Sequence, residues 1–300
     1  MRDLRPFGQV ILGLTTAMSN PEEVAPKAIV IVFPIYPGVT HLDFTGPHQL
    51  LARVPGVELV VASIEGASVN AEGLIFSSLA RLEEIERCDV LCVPGGRGCT
   101  DAIQNMPYIT AIRRLAAGAR YLTSVCTGSL ILGAAGLLQG RRAACHWAWR
   151  DFLPLFGAIP GAGRVVRDGN ILTGGGVTAG IDFALTLVAE LLGPVVAQSI
   201  QLALEYAPEP PFNAGRPDTA PQEILARVQN LNAAAMPQRR AALERAATDY
   251  RQLGMIAVPK ARNYRKPQME LTESEKEFSG ITQTFTTGAP ARRQDARAHQ

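Results

Sequence analysis

The sequence predicts an α/β protein with a mostly parallel sheet covered by helices on both faces. Apolar runs without alternation recur, as in strands buried on two faces: AIVIVF from Ala28 to Phe33, then Val57 to Ala62, Val90 to Val93 and Tyr121 to Val125. Between the last two, Asp101 to Ala119 carries Ile109, Ile112 and Leu115 at helical spacing, so strands and helices alternate. That alternation favours parallel strands joined by helical crossovers. With 300 residues, 47% of them hydrophobic and 19% charged, the chain can bury one large core.

The elements follow in order. Residues 1–26 read as an N-terminal extension: MRDLRPFGQVILGL sets basic residues before a short apolar run, but Asp3 and Pro6 interrupt it, which leaves a signal peptide as the lesser reading. Residues 27–206 form the expected α/β domain. Near its end, RVVRDGNILTGGG places Asp168-Gly169-Asn170 between two apolar runs, a hairpin signal that should close the sheet. Gly180 to Leu192 and Val195 to Tyr206 read as helices separated by Gly193-Pro194. Residues 207–256 comprise a proline-rich wrapping loop, APEPPFNAGRPDTAP, and one outer helix from Gln222 to about Arg251. Residues 257–300 are polar and aperiodic, the composition of a disordered tail.

Several classes are disfavoured. A net charge of +2 with scattered basic residues offers no nucleic-acid footprint. The longest apolar stretch, LILGAAGLL from Leu130 to Leu138, is far short of the roughly 20 residues a membrane span needs. Five cysteines form no disulfide framework, so reduced thiols and a cytoplasmic location are expected. Cys88, Cys92 and Cys99 lack the spacing of a closed zinc site, and no metal or cofactor is expected.

Three segments can carry chemistry. In YLTSVCTGS a buried strand runs into Cys126, and small residues let a helix begin at once, a thiol version of a nucleophile elbow. Backbone N–H groups and a helix terminus there should favour thiolate over thiol. A glycine turn, VPGGRG, follows the preceding strand and should lie beside the elbow, with the N–H groups of Gly95 and Gly96 as an oxyanion hole. In HLDFTGPH, Asp43 reaches the same sheet edge if the first strand neighbours the strand before Cys126. The residues alone leave plainer readings open: Cys126 as a small buried hydrophobe, Asp43 as a helix cap.

Together these segments resemble the ThiJ/PfpI superfamily, with its class I glutamine amidotransferase-like, flavodoxin-like fold, over Ala28 to about Leu192. Within it, LDFTGPH, VPGG, YLTSVCTGSLILGAAGLLQG, GGGVTAGIDFALTL and LEYAPEPPFNAG resemble the isocyanide (isonitrile) hydratase branch nearly residue for residue. The likeness extends to about Ala246. It implies hydration of an isocyanide to an N-substituted formamide, with Cys126 as nucleophile, Asp43 as acid/base and a thioimidate between. Thr127 and the backbone of Gly95 and Gly96 would orient water and stabilise charge, and His146, Trp147 and Val177 would border the pocket. A homodimer is implied as well. Thr127 stands where protease-like members carry histidine, which disfavours a Cys-His protease. The alternatives are a glyoxalase or chaperone-like activity on the same fold, or a ligand-sensing regulator; the segment after Ala246 is too short and proline-broken for paired helix-turn-helix units.

Overall fold

The computed structural model describes residues 28–256; the expected extension at 1–26 and the expected tail at 257–300 lie outside the described residues. The strands are β1 (Ile29–Pro34), β2 (Val57–Ser63), β3 (Val69–Ala71), β4 (Leu74–Phe76), β5 (Ala80–Arg81), β6 (Val90–Val93), β7 (Tyr121–Val125), β8 (Arg142–Ala144), β9 (Ile159–Gly161), β10 (Val165–Asp168) and β11 (Ile171–Gly174). The α-helices are α1 (Leu42–Leu51), α2 (Cys99–Gln104), α3 (Met106–Ala116), α4 (Gly128–Ala134), α5 (Ala179–Leu192), α6 (Pro194–Ala203), α7 (Gln222–Ala233) and α8 (Met236–Gln252).

Seven strands form the main sheet in the order β10-β11-β7-β6-β1-β2-β5, parallel except for β10. The unbroken apolar runs lie at its centre, where Ile31, Val32, Phe33, Val90, Leu91 and Val93 have no exposed surface. Helices α1, α5 and α6 pack together as one layer, and α2, α3, α4 and α8 as the other. This is the α/β architecture the alternation predicts. The predicted hairpin joins β10 to β11 and supplies the edge strand, with Gly169 at φ 63° in the turn.

Three expectations change. The single helix expected from Asp101 to Ala119 is two, because Asn105 leaves α2 and turns its side-chain oxygen to accept from the Tyr108 N–H at 3.1 Å, capping α3. The outer helix is likewise two, α7 and α8, with Pro237 in the first turn of the second, a position that needs no N–H donor. Finally, β6 lies between β1 and β7, so the strand before Asp43 does not adjoin the strand before Cys126. The short pairs β3–β4 and β8–β9, outside the main sheet, are too brief to leave a periodic signal in the sequence.

Candidate active site

β7 ends at Val125, and the next residue, Cys126, takes φ 59°, a left-handed conformation that a side chain ordinarily avoids. Its N–H still donates to the Gly174 carbonyl of neighbouring β11 at 3.1 Å, so the sheet holds the residue in place while the chain reverses into α4. Close packing forces the turn: a Cβ on Gly128 would collide with the Val93 carbonyl oxygen and lie 3.0 Å from the carbonyl carbon of Pro94. The glycine turn after β6 is thereby pressed against the elbow, as the sequence predicts.

Asp43 reaches this point from α1 across the β6 turn. Its Oδ2 accepts from the Gly95 N–H at 3.0 Å. It is no helix cap, since His41 occupies the N-cap position of α1 and no side chain caps its N–H groups. Gly96 N–H donates to Thr127 Oγ1 at 2.9 Å, and the Thr127 hydroxyl in turn faces the Gly96 carbonyl at 3.3 Å. Both expected oxyanion donors are therefore engaged, Gly95 by Asp43 and Gly96 by Thr127. In this arrangement those bonds tie the glycine turn to Asp43 and to the elbow. Only glycine fits at position 95, because a Cβ there would overlap the Thr127 backbone nitrogen and lie 2.9 Å from Asp43 Oδ2.

Asp43 has no exposed surface and Cys126 is 5% exposed, and the two approach one another at Gly95, which the carboxyl Oδ2 and the backbone of Thr127, the residue after the thiol, both crowd. The other carboxyl oxygen, Oδ1, is buried without a hydrogen-bond partner. Burial is the main cause that lifts the Asp43 carboxyl to about 7, against the pull of the Gly95 N–H and the Cys126 thiol, with Glu72 adding a small push upward. Burial likewise pushes the Cys126 thiol well above its ordinary value; Asp43 and Cys145 push the same way, and the Thr127 N–H pulls back. Burial and the Asp43 carboxyl therefore push against the thiolate that the elbow and helix terminus favour, and the carboxyl beside the thiol titrates near neutrality.

A thiol on a left-handed elbow, a buried carboxyl and a glycine turn lie together at the carboxyl ends of parallel strands. The model of the DJ-1/PfpI family matches residues 27–190. This chain belongs to the DJ-1/PfpI family. It is 50% identical over 221 residues to an isonitrile hydratase of Pseudomonas putida, covering 73% of this chain and 97% of that protein. Among solved structures, a THiJ/PfpI family protein from Pseudomonas syringae aligns with TM-score 0.70 and 37% identity, over 77% of this chain and 98% of that one. A transcriptional regulator of Pseudomonas aeruginosa, CdhR, is 32% identical over 148 residues, which is 47% of this chain and 40% of the regulator.

In this DJ-1/PfpI chain His146 follows Cys145 and lies beside Gly176, close in sequence to the Gly174 carbonyl that holds the elbow. His146 Nδ1 accepts from the Ala148 N–H at 3.3 Å, and its ring stacks on Trp147 with centroids 5.7 Å apart. Burial lowers the His146 pKa, favouring the neutral ring. Val177 is partly buried against the core beneath the start of α5. Clefts of about 310 and 570 Å³ indent the surface, and neither is lined by Cys126 or Asp43. Residues the sequence did not single out complete the surroundings. Tyr36 donates to the Pro94 carbonyl, and Ser129 bonds both Ser124 and the Ala144 carbonyl, tying the elbow helix to β8. Serines in a run of small residues carry no signal in a single sequence. Tyr36, an aromatic between a buried strand and Pro37-Gly38, is the one whose position offered a hint.

Proposed function

We propose that this chain is an isonitrile hydratase, an enzyme that adds water to an isocyanide, R–N≡C, to give the N-substituted formamide R–NH–CHO. Likeness to the Pseudomonas putida enzyme over nearly that protein's whole length supports the substrate class. The observation that carries the mechanism is the meeting of Asp43 and the Cys126 elbow at Gly95, with the carboxyl held by the Gly95 N–H, Thr127 crowding the same glycine, and one carboxyl oxygen buried without a hydrogen-bond partner.

An isocyanide carbon accepts a soft nucleophile only if a proton reaches that carbon as the bond forms. The Cys126 S–H supplies both. Asp43 takes the thiol proton as sulfur attacks and returns it to the isocyanide carbon, leaving the thioimidate R–N=CH–S–Cys126. Water then adds to that carbon as Asp43 takes one of its protons and passes it to the imidate nitrogen, giving R–NH–CH(OH)–S–Cys126. Collapse of the adduct releases the formamide, returns the thiol and restores the starting protonation. A carboxyl at about 7 suits both directions of transfer, since neither proton acceptance nor donation is then strongly uphill. Thr127 and the Gly95 and Gly96 backbone keep the pair in register.

The same reading includes a cytoplasmic homodimer without a cofactor. Exposed apolar side chains on α6, Val195 at 76% and Leu202 at 83%, support a second copy there, and sedimentation velocity tests it. For the activity, purified protein is mixed with a simple alkyl isocyanide while loss of the isocyanide infrared band and formamide mass are followed. Loss of the band with matching formamide is expected. Absence of turnover there, with activity on a dicarbonyl, moves the assignment to the glyoxalase alternative.

A further inference from the structure

The peptide unit between Pro94 and Gly95 is held at both ends by side chains. On one side its N–H donates to Asp43 Oδ2 at 3.0 Å; on the other its carbonyl accepts from the Tyr36 hydroxyl at 3.1 Å, and both bonds are buried. The phenol has little freedom to leave. Its ring meets that of Tyr108 edge-on, with centroids 5.5 Å apart, and Tyr108 is itself anchored by a 2.8 Å bond from its hydroxyl to the Pro34 carbonyl. We propose that Tyr36 is a positioning residue for the Asp43 proton, acting through this single peptide unit. The inference rests on the reading of Asp43 as the proton carrier.

A donor on a peptide carbonyl draws electron density toward oxygen and makes the N–H of the same unit a better donor, strengthening a neighbouring hydrogen bond by roughly 10–30%. The Gly95 N–H favours the ionised carboxyl, so the Tyr36 bond holds Asp43 at a lower pKa than burial alone would give. Burial pushes the Tyr36 phenol well above its ordinary value, and it remains a donor over the working range. The other groups facing Asp43 are the Cys126 thiol at the elbow, the thiols of Cys92, Cys99 and Cys145, and the Glu72 carboxylate in the β3–β4 turn, which stands 3.9 Å from His41 Nε2. None of them is hydrogen-bonded to the Pro94 carbonyl, so the Tyr36 hydroxyl reaches Asp43 by a bonded route they do not share.

The test is an infrared titration of the Asp43 carboxyl in protein carrying ¹³C-labelled aspartate, assigned by difference from Asp43→Asn, in full-length wild type and in Tyr36→Phe. Loss of the hydroxyl should raise the Asp43 midpoint by about half a pH unit, and the kcat/KM profile with an alkyl isocyanide should move in the same sense. Replacement of Tyr36 by 3-fluorotyrosine keeps the ring and makes the hydroxyl a stronger donor. That change should lower the midpoint, and it serves equally if Tyr36→Phe does not fold. An unmoved midpoint, or the same direction of shift in both variants, overturns the proposal, since altered packing alone would not reverse sign with donor strength. The titration needs no isocyanide. If wild type fails to turn over isocyanides while the midpoints move as stated, the coupling stands and the functional reading falls.

Discussion

Two turns at opposite ends of adjoining strands take nearly the same positive φ with opposite residue choices. At the amino end of β11, Gly169 turns at φ 63°; at the carboxyl end of neighbouring β7, Cys126 turns at φ 59°. The first is exposed and uses the one residue that enters this region freely. The second is buried and carries a side chain whose Cβ opposes the conformation, at a cost of order 1–3 kcal/mol. A hairpin needs only to reverse the chain, so glycine suffices. The elbow must also present a sulfur to a carboxyl, and the fold supports the strained residue through the Gly174 bond and the packing of Gly128.

That contrast can be broken at several points. The largest effect is expected from Cys126→Ser, which keeps the turn and removes the soft nucleophile: turnover should disappear, and intact-mass analysis with isocyanide should find no covalent adduct. Asp43→Asn should lower kcat by about 10² to 10⁴ while preserving the bond to Gly95. It should also separate activity from stability. A carboxyl near 7 in the folded state, against about 3.9 unfolded, stabilises the fold most at low pH and loses that contribution as pH rises toward and through 7. Asparagine does not titrate, so the variant should gain on wild type between pH 5 and pH 8, reaching about 2–4 kcal/mol in urea denaturation. A gain that does not grow with pH would remove the raised Asp43 pKa from the account.

Smaller effects concern the backbone. At an ordinary position Cys→Gly is less stable than Cys→Ala; at the elbow Cys126→Gly should be the more stable by about 1 kcal/mol, whereas Gly169→Ala should cost the hairpin a similar amount, both read by denaturation midpoints. Smallest of all, alkylation by iodoacetamide at pH 7 should be slow at all five cysteines, since burial raises each thiol. Fast labelling of Cys126 in peptide maps would mean that the site opens and the thiol ionises without substrate.

Much of this was legible in the chain. Continuous β-branched runs marked the central strands because a strand buried on both faces has no polar side to show, and the small residues after Val125 marked the elbow because α4 must start against the glycine turn. The split helices were harder to read. Asn105-Met106-Pro107 and Met236-Pro237 are breaks inside patterns that otherwise keep helical spacing, and capping geometry decides them.

The sequence by itself determined the α/β architecture, the hairpin at its edge and the three segments that meet at the carboxyl ends of the strands, because burial periodicity and turn chemistry act locally. Only the tertiary structure decided that β6 separates β1 from β7, that the Gly95 and Gly96 donors are taken by Asp43 and Thr127, and that burial pushes the Cys126 thiol upward. Hydrogen-bond partners and desolvation are set by what packs around a group from distant parts of the chain, and a single sequence does not contain that packing in readable form.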